Sequence, residues 1–285
     1  MSSPVCLTLH GAVALIRVGN PPVNALGQAV RAGLLEAVLR AGADPVVKLL
    51  LLYCEGRTFI AGADIREFGQ PPQAPLLPEV TAALEACPKP ILAVLHGSTL
   101  GGGLEVALAC HYRICRRDAR LGLPEVKLGL LPGADGTQRL PRLVGVARAL
   151  AMIVDGEPID APQAQAYGLL DELYDGEPLA AGLAFAETLL ARGAEPRRTG
   201  ERPVAPGEGV AALLVNWRER ITLERPGSFS PLRCIAAIEA AVLLPLEQGL
   251  ARERALFLEC LASPQRAELV AKFFADREAA RAAAH

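Results

Sequence analysis

Three stretches of the sequence hold residues that could do chemistry. The densest is His96-Gly-Ser-Thr-Leu-Gly-Gly-Gly-Leu-Glu-Val-Ala-Leu. It follows an apolar run and opens a predicted helix. Three consecutive glycines allow backbone angles closed to other residues and let a ligand approach closely. They also leave free N–H groups at a helix N-terminus, where developing negative charge is favoured. Glu105 falls in the first turn of that helix. Phosphate-binding patterns do not fit: Val106 stands where G-x-G-x-x-G needs its last glycine, and Leu104 stands where a Walker lysine would follow. Ser98 directly follows Gly97, so there is no serine-hydrolase elbow either. A tight strand-to-helix turn, with Glu105 serving the helix dipole, explains the stretch equally well.

The second stretch is Gly56-Arg-Thr-Phe-Ile-Ala-Gly-Ala-Asp-Ile-Arg-Glu-Phe. It leaves an apolar run that reads as a buried strand, and ligands of α/β folds collect at such strand ends. Ala61-Gly62-Ala63 is small enough for a flat group to lie on the backbone. An ordinary loop capped by Asp64 is the simpler account. The third stretch is Leu121-Gly-Leu-Pro-Glu-Val-Lys-Leu-Gly-Leu-Leu-Pro-Gly-Ala-Asp-Gly. Glu125 stands there among Leu123, Pro124, Val126 and Leu128. A carboxyl group in apolar surroundings has a raised pKa and suits a general acid. The competing account is a surface carboxylate paired with Lys127. His96 and His111 lack metal-spaced partners and read as structural, as do Trp217, Tyr167 and Tyr174. No metal site is read.

The elements that must position these residues follow from periodicity. Val5–Leu9 and Ala12–Val18 read as a hairpin around His10-Gly11. A helix is predicted from Leu26 to Ala41, then a strand from Val46 to Tyr53 buried on both faces. Pro78 starts a helix that ends before Pro88. Ile91–Leu95 is a buried strand, Gly103–His111 a helix and Tyr112–Cys115 a strand. The alternation argues for an α/β class. Leu179–Ala191 is helical. Residues 192–209 are rich in Pro, Gly and charge and read as a linker or exposed loop, with Arg192, Arg197, Arg198 and Arg202 solvated. From Pro231 onward every segment reads as helix. Residues 1–195 are therefore expected to form the catalytic core, and 196–285 a linker and helical region.

Composition narrows the function classes. The chain has 285 residues, 51% of them hydrophobic, which suffices for a sizeable core. A formal net charge of -2 gives no reason to expect nucleic acid or an anionic membrane as partner. Seven cysteines without a C-x-x-C pair suggest reduced thiols. With no signal-peptide pattern and no run of membrane-spanning length, the expected location is the cytoplasm.

Taken together, the three stretches resemble the crotonase (enoyl-CoA hydratase/isomerase) family. Ala-Gly-Ala-Asp-Ile, Leu-Gly-Gly-Gly-Leu-Glu and Leu-Pro-Glu-Val-Lys-Leu-Gly-Leu-Leu-Pro-Gly match in order and spacing, including the interval from Glu105 to Glu125. The run from Glu105 to Arg113 and the segment Phe273-Phe-Ala-Asp-Arg look most like the hydratase/isomerase half of peroxisomal-type multifunctional β-oxidation enzymes. The resemblance implies a spiral of repeated ββα units with a C-terminal helical region. It implies hydration of trans-2-enoyl-CoA to 3-hydroxyacyl-CoA, with room for 3,2-enoyl-CoA isomerisation. The N–H groups of Ala63 and Gly102 would form the oxyanion hole. Glu125 would act chiefly as proton donor and Glu105 chiefly as water activator. Val23, Ala25, Ala61, Asp64, Ile65, Arg66 and Gly133 would contact the acyl-CoA. Coenzyme A is then part of the substrate, and no separate cofactor is implied. Other enolate reactions (isomerisation alone, thioester hydrolysis, decarboxylation) and a non-catalytic acyl-CoA-binding homologue are the alternatives. A homotrimer, a hexamer and a monomer all stay open.

Two departures from the family pattern stand out. Gly133-Ala-Asp-Gly replaces the common Gly-Ala-Gly-Gly, so Asp135 is either a harmless turn residue or a third carboxylate near the acyl group. No glycine fingerprint follows Gly249, so no NAD-dependent activity is expected. The multifunctional relatives suggest that the last helices fold back against the acyl pocket, whereas single-domain relatives use them to build a trimer.

Overall fold

The computed structural model describes residues 3–67, 69–204 and 209–283. The chain opens with the hairpin β1 (Val5–His10) and β2 (Val13–Val18). Then come α1 (Gln28–Ala43), β3 (Leu49–Cys54), a 3-10 turn at Ile65–Glu67, α2 (Leu77–Ala86), β4 (Ile91–Leu95), β5 (Ser98–Leu100) and α3 (Gly102–Ala109). Next are β6 (Tyr112–Arg116), β7 (Arg120–Gly122), a 3-10 helix at Pro124–Leu128, α4 (Gly136–Val144) and α5 (Val146–Leu150). They are followed by a π-helical turn at Ala151–Asp155, β8 (Ile159–Asp160), α6 (Ala161–Ala166), β9 (Glu172–Tyr174) and α7 (Pro178–Ala191). Four helices end the chain: α8 (Val210–Glu224), α9 (Ser230–Leu243), α10 (Leu246–Leu261) and α11 (Pro264–Ala283).

The strands form a six-stranded sheet in the order β1-β2-β3-β4-β6-β9 and a three-stranded sheet in the order β5-β7-β8. Apart from the β1–β2 hairpin, the larger sheet is parallel. The chain passes from a strand of the large sheet to a strand of the small one twice, from β4 to β5 and from β6 to β7. After the first of these it enters α3, so each pass delivers a loop to the same place. The run Leu49-Leu-Leu-Leu explains why the large sheet is buried on both faces. Leu50 and Leu52 join the main core, whereas Leu49 and Leu51 join a second cluster with Leu92, Val94 and the α7 residues Ala186 and Leu189.

Strand β3 begins at Leu49 rather than at the expected Val46. Asp44 makes the difference, because its carboxylate accepts the Val46 N–H at 2.9 Å and its carbonyl accepts that of Val47 at 3.1 Å. Val46 is left exposed.

The expectation of a solvated loop after α7 needs correction. Arg197 pairs with Asp171 at 2.5 Å and lies over the Tyr112 ring. Arg198 donates to the Glu85 carbonyl, Thr199 to the Leu108 carbonyl, and the Gly200 N–H to Glu85 Oε1 at 2.6 Å. The segment is strapped to the core because its charges answer buried acceptors that no local sequence pattern reveals. Arg192, Arg202 and, despite its pairing, Arg197 are exposed as expected; residues 205–208 lie outside the described part.

The last two helices do not project away. Helix α10 packs on α9 and α4, and α11 lies against the 3-10 helix at Pro124–Leu128. The last helices thus lie against the segment that carries Glu125.

Candidate active site

Four backbone segments are zipped side by side. The Ala61 N–H bonds the Val23 carbonyl at 3.1 Å, and the Leu26 N–H bonds the Gly62 carbonyl at 2.9 Å. The Leu100 N–H bonds the Ile60 carbonyl at 3.1 Å, and the Gly101 N–H bonds the Gly122 carbonyl at 2.9 Å. Segments 23–26, 60–63, 98–102 and 120–122 thus lie in one layer, which brings all three sequence stretches together. Asn24 staples the first two of these loops. Its side-chain amide donates to the Glu55 and Thr58 carbonyls, and its own backbone has a positive φ of 53°.

Each glycine of the triplet has a different duty. Gly101 has φ +54°, and a Cβ on it would sit 2.9 Å from Glu125 Oε1. A Cβ on Gly102 would sit 2.7 Å from Leu77 Cδ2 and 3.0 Å from Leu26 Cδ1, so that position faces an apolar wall. A Cβ on Gly103 would run into the Ile60 carbonyl oxygen at 2.1 Å. Gly101 is thus required for the turn, Gly102 for access and Gly103 for close packing. The Gly101 carbonyl already accepts the N–H groups of Leu104 and Glu105. Gly102, first residue of α3, has an N–H among those that no helical carbonyl can satisfy. Ala63 is exposed on the adjacent segment, in a bridge with Leu26. Gly62 Cα lies 3.9 Å from the position a Gly101 Cβ would take, so the two expected N–H donors belong to touching segments.

The two glutamates meet at this turn. Glu105 is 3% exposed, and its Oε1 accepts the N–H groups of Ala134 at 2.8 Å and Gly136 at 3.0 Å. Burial raises its pKa to about 7, and those two N–H donors restrain the rise. Glu125 is half-buried as a residue, yet its Oε2 is shut from solvent and has no hydrogen-bond partner. Burial and the neighbouring charge of Glu105 push its pKa well above the ordinary carboxylate range. Near neutral pH the pair therefore offers a protonated acid beside a group that ionises there. Lys127 does not pair with Glu125. It bonds Glu157 at 2.8 Å, which removes the surface-pair account of Glu125.

Asp135 does not join the two glutamates. Its carboxylate accepts from Thr81 Oγ1 at 2.9 Å and pairs with Arg139 at 2.5 Å, and Arg139 also pairs with Glu85 at 2.9 Å. Its backbone takes the left-handed conformation, φ 76°, that glycine would take at this position. The carboxylate thus belongs to a buried ion network.

The remaining expected contact residues separate into two groups. Val23, Ala25 and Ala61 lie half-buried along the zipped segments, and Gly133 lies at the start of the loop that holds Glu105. Asp64 is buried and accepts the Arg66 N–H at 3.0 Å, while Arg66 itself is 78% exposed and grips Asp64 at 2.6 Å. That pairing holds the Asp64 carboxyl below its usual range. Ile65 continues the same loop as the first residue of a 3-10 turn, and its side chain lies outside the described part. Both expected structural histidines prove so. His111 Nδ1 accepts the Ile91 N–H at 3.0 Å, leaving Nε2–H for the Glu85 carbonyl at 3.1 Å. His96 Nε2 meets the Gly56 carbonyl.

Three residues of the site escape reading from sequence. Glu253 of α10 is 2% exposed and holds the N–H groups of Asp135 at 2.8 Å and Thr137 at 3.0 Å. Phe257, one turn on, covers Gly133 so closely that a Cβ there would sit 2.4 Å from its ring. Leu77 supplies the wall over Gly102. Glu253 stands in Ala-Arg-Glu-Arg-Ala, which reads as an exposed charged helix face, and nothing local marks it as buried.

A family model described as enoyl-CoA hydratase/isomerase matches residues 8–192. The peroxisomal bifunctional enzyme of Cavia porcellus is 40% identical over 276 residues, covering 96% of this chain and 38% of that protein. A probable enoyl-CoA hydratase of Bacillus subtilis is 44% identical over 173 residues, 58% of this chain and 67% of that protein. Carnitinyl-CoA hydratase from Mycobacterium avium superposes with a TM-score of 0.74 at 28% identity over 97% of both chains. The chain thus spans well under half the length of the bifunctional relatives it matches. With its motifs, its two sheets and these matches, the chain belongs to the enoyl-CoA hydratase/isomerase (crotonase) family.

Proposed function

We propose that the chain is an enoyl-CoA hydratase of the fatty acid β-oxidation type, adding water to trans-2-enoyl-CoA, with 3,2-enoyl-CoA isomerisation at the same site. The observation that carries this is the unequal pair of glutamates at the Gly101–Gly102 turn. Glu105, restrained by two N–H donors, is the base: it takes a proton from water as the oxygen bonds to the β carbon. The C=C electron pair moves toward the thioester, and negative charge grows on its oxygen. The Ala63 and Gly102 N–H groups receive that oxygen, and loss of one such donor costs on the order of 3 kcal/mol. Glu125, neutral and with its Oε2 unpartnered, delivers its proton to the α carbon. The site is reset when Glu105 returns a proton to Glu125 through the product side or solvent.

Val23, Ala25, Ala61, Asp64 and Ile65 would line the groove for coenzyme A, which enters as part of the substrate. Arg66 is the exposed cation beside it for a phosphate. Leu26, Leu77 and Phe257 give the acyl side its apolar character. Retention of two glutamates favours hydration over the single-carboxylate and non-catalytic readings. The cysteine pattern keeps the cytoplasm as the proposed compartment; among the described residues no helix is long and apolar enough to cross a membrane. The test is loss of enoyl-thioester absorbance with crotonyl-CoA and longer trans-2-enoyl-CoA esters. Binding of these esters without any loss of absorbance would reject hydration.

A further inference from the structure

The loop that carries Glu105's two donors is gripped from both sides. Four successive N–H groups alternate between two buried carboxylates. Those of Ala134 and Gly136 go to Glu105 Oε1, and those of Asp135 and Thr137 go to Glu253 Oε1 and Oε2. Thr137 Oγ1 also donates to Glu253 Oε2 at 2.5 Å, and Gln138 Nε2 donates to Thr137 Oγ1 at 3.0 Å. Glu253 comes from α10, far along the chain from the site. A carboxyl group 2% exposed in a helix interface is costly to keep unless its hydrogen bonds have a use.

We propose that Glu253 is a positioning residue for Glu105: by holding the Asp135 and Thr137 N–H groups, it aims those of Ala134 and Gly136 at the catalytic carboxylate. A loop released on one side would turn its N–H groups away on the other. Glu105 would then lose both its geometry and the donors that restrain its pKa. The charged and titratable groups facing Glu105 are Glu125 from the 3-10 helix, Asp135 and Arg139 at the start of α4, and Glu253 from α10. Glu85 of α2 reaches the cluster through Arg139, and Cys234 of α9 lies on the Glu125 side. Because Glu253 acts through Glu105, its role rests on the assignment of Glu105 as the base.

Glutamine distinguishes the two sites. Glu105 accepts both its N–H donors on one oxygen, so Glu105→Gln can keep them. Glu253 accepts on both oxygens, so Glu253→Gln must turn an amide NH₂ toward one N–H and release it. For Glu253→Gln, we expect kcat with crotonyl-CoA to fall between about tenfold and about a hundredfold with KM near that of the wild type. The acid limb of the kcat profile should move to higher pH, because Glu105 loses donors. Glu259→Gln, on the exposed side of the same helix beside Arg233, should match the wild type.

An unchanged kcat and limb would overturn the proposal. So would a limb moved to lower pH, since Glu253 would then act as a like charge rather than as a clamp. A loss of thermal stability alone, with the limb in place, would reduce Glu253 to packing and overturn it too. If Glu253→Gln is insoluble, Thr137→Val removes the hydroxyl's bonds with Glu253 and Gln138 but keeps the Thr137 N–H bond, and the limb should move the same way by less; an unmoved limb counts against the proposal. A Glu105→Gln variant that still hydrates would overturn the base assignment and the role of Glu253 with it. A dead Glu105→Gln beside a normal Glu253→Gln would overturn only the role of Glu253.

Discussion

Glu105 and Glu125 stand at one turn but in unlike surroundings. Glu105 is enclosed by the Ala134–Thr137 loop, which gives it two N–H donors and is itself braced by α10. Glu125 rides on the 3-10 helix Pro124–Leu128, backed by α11, and has an oxygen with no donor at all. Both are buried, so desolvation raises both pKa values; two N–H donors restrain the rise at Glu105, whereas the charge of Glu105 adds to it at Glu125. In the proposed reaction, two chemically identical side chains thus take the parts of acid and base through the surroundings each one meets.

The largest effect should come from removing either carboxylate. Glu125→Gln and Glu105→Gln should each lower hydratase kcat by roughly 10³-fold while acyl-CoA affinity, measured by calorimetry, stays near that of the wild type. Glu105→Gln should spare more 3-enoyl isomerisation than hydration, since isomerisation needs one carboxylate. Equal loss of both activities in both variants would erase the division of roles.

The next test concerns pH. A base at Glu105 must be ionised, so kcat should rise with pH through about 7 and fall at higher pH once Glu125 ionises. Stability should run the other way. A carboxyl group whose pKa is raised on folding binds more protons in the native state, so stability is lost as pH rises from the ordinary glutamate value, 4.5, through about 7. Glu105→Gln, which keeps both N–H bonds, should therefore be more stable than the wild type above that range, by up to about 3 kcal/mol, with the gap closing below it. Denaturant titrations at both ends of the range would show it; a pH-independent gap would contradict the ionisation.

A smaller effect is expected at Asp135, which lies in the same loop but has its carboxylate bonded to Thr81 and Arg139. Asp135→Gly suits the positive φ but strips Arg139 of one partner, so stability should drop by about 1–3 kcal/mol while kcat stays within about threefold. A kcat loss like that of Glu105→Gln would bring Asp135 back into the reacting site. The smallest effect belongs to Lys127→Ala, whose exposed pair with Glu157 should cost at most about 0.5 kcal/mol and leave activity unchanged.

Much of this was legible in the sequence because it is local. The leucine run at 49–52, the Pro at the start of α2 and the triple glycine each state their backbone requirement in place, and helix and strand bounds fall within a few residues of the reading. At Val46 a turn overrides an apolar run, and at Arg198, Thr199 and Gly200 the chain answers partners distant in sequence. Asp135 shows the limit well: its type allowed a turn residue or a third carboxylate, and only the position of Arg139 and Thr81 decides between them.

The sequence by itself determined which residues could react and how far apart they stand along the chain: two glutamates, a glycine turn and a small-residue loop, in family order. Only the tertiary structure decided their inequality. The donors that restrain Glu105 come from the Ala134–Thr137 loop, and the carboxylate that braces that loop comes from α10, in a stretch that reads as exposed charge. A pKa depends on which dipoles and charges surround a buried group, and those arrive from segments that no spacing pattern connects.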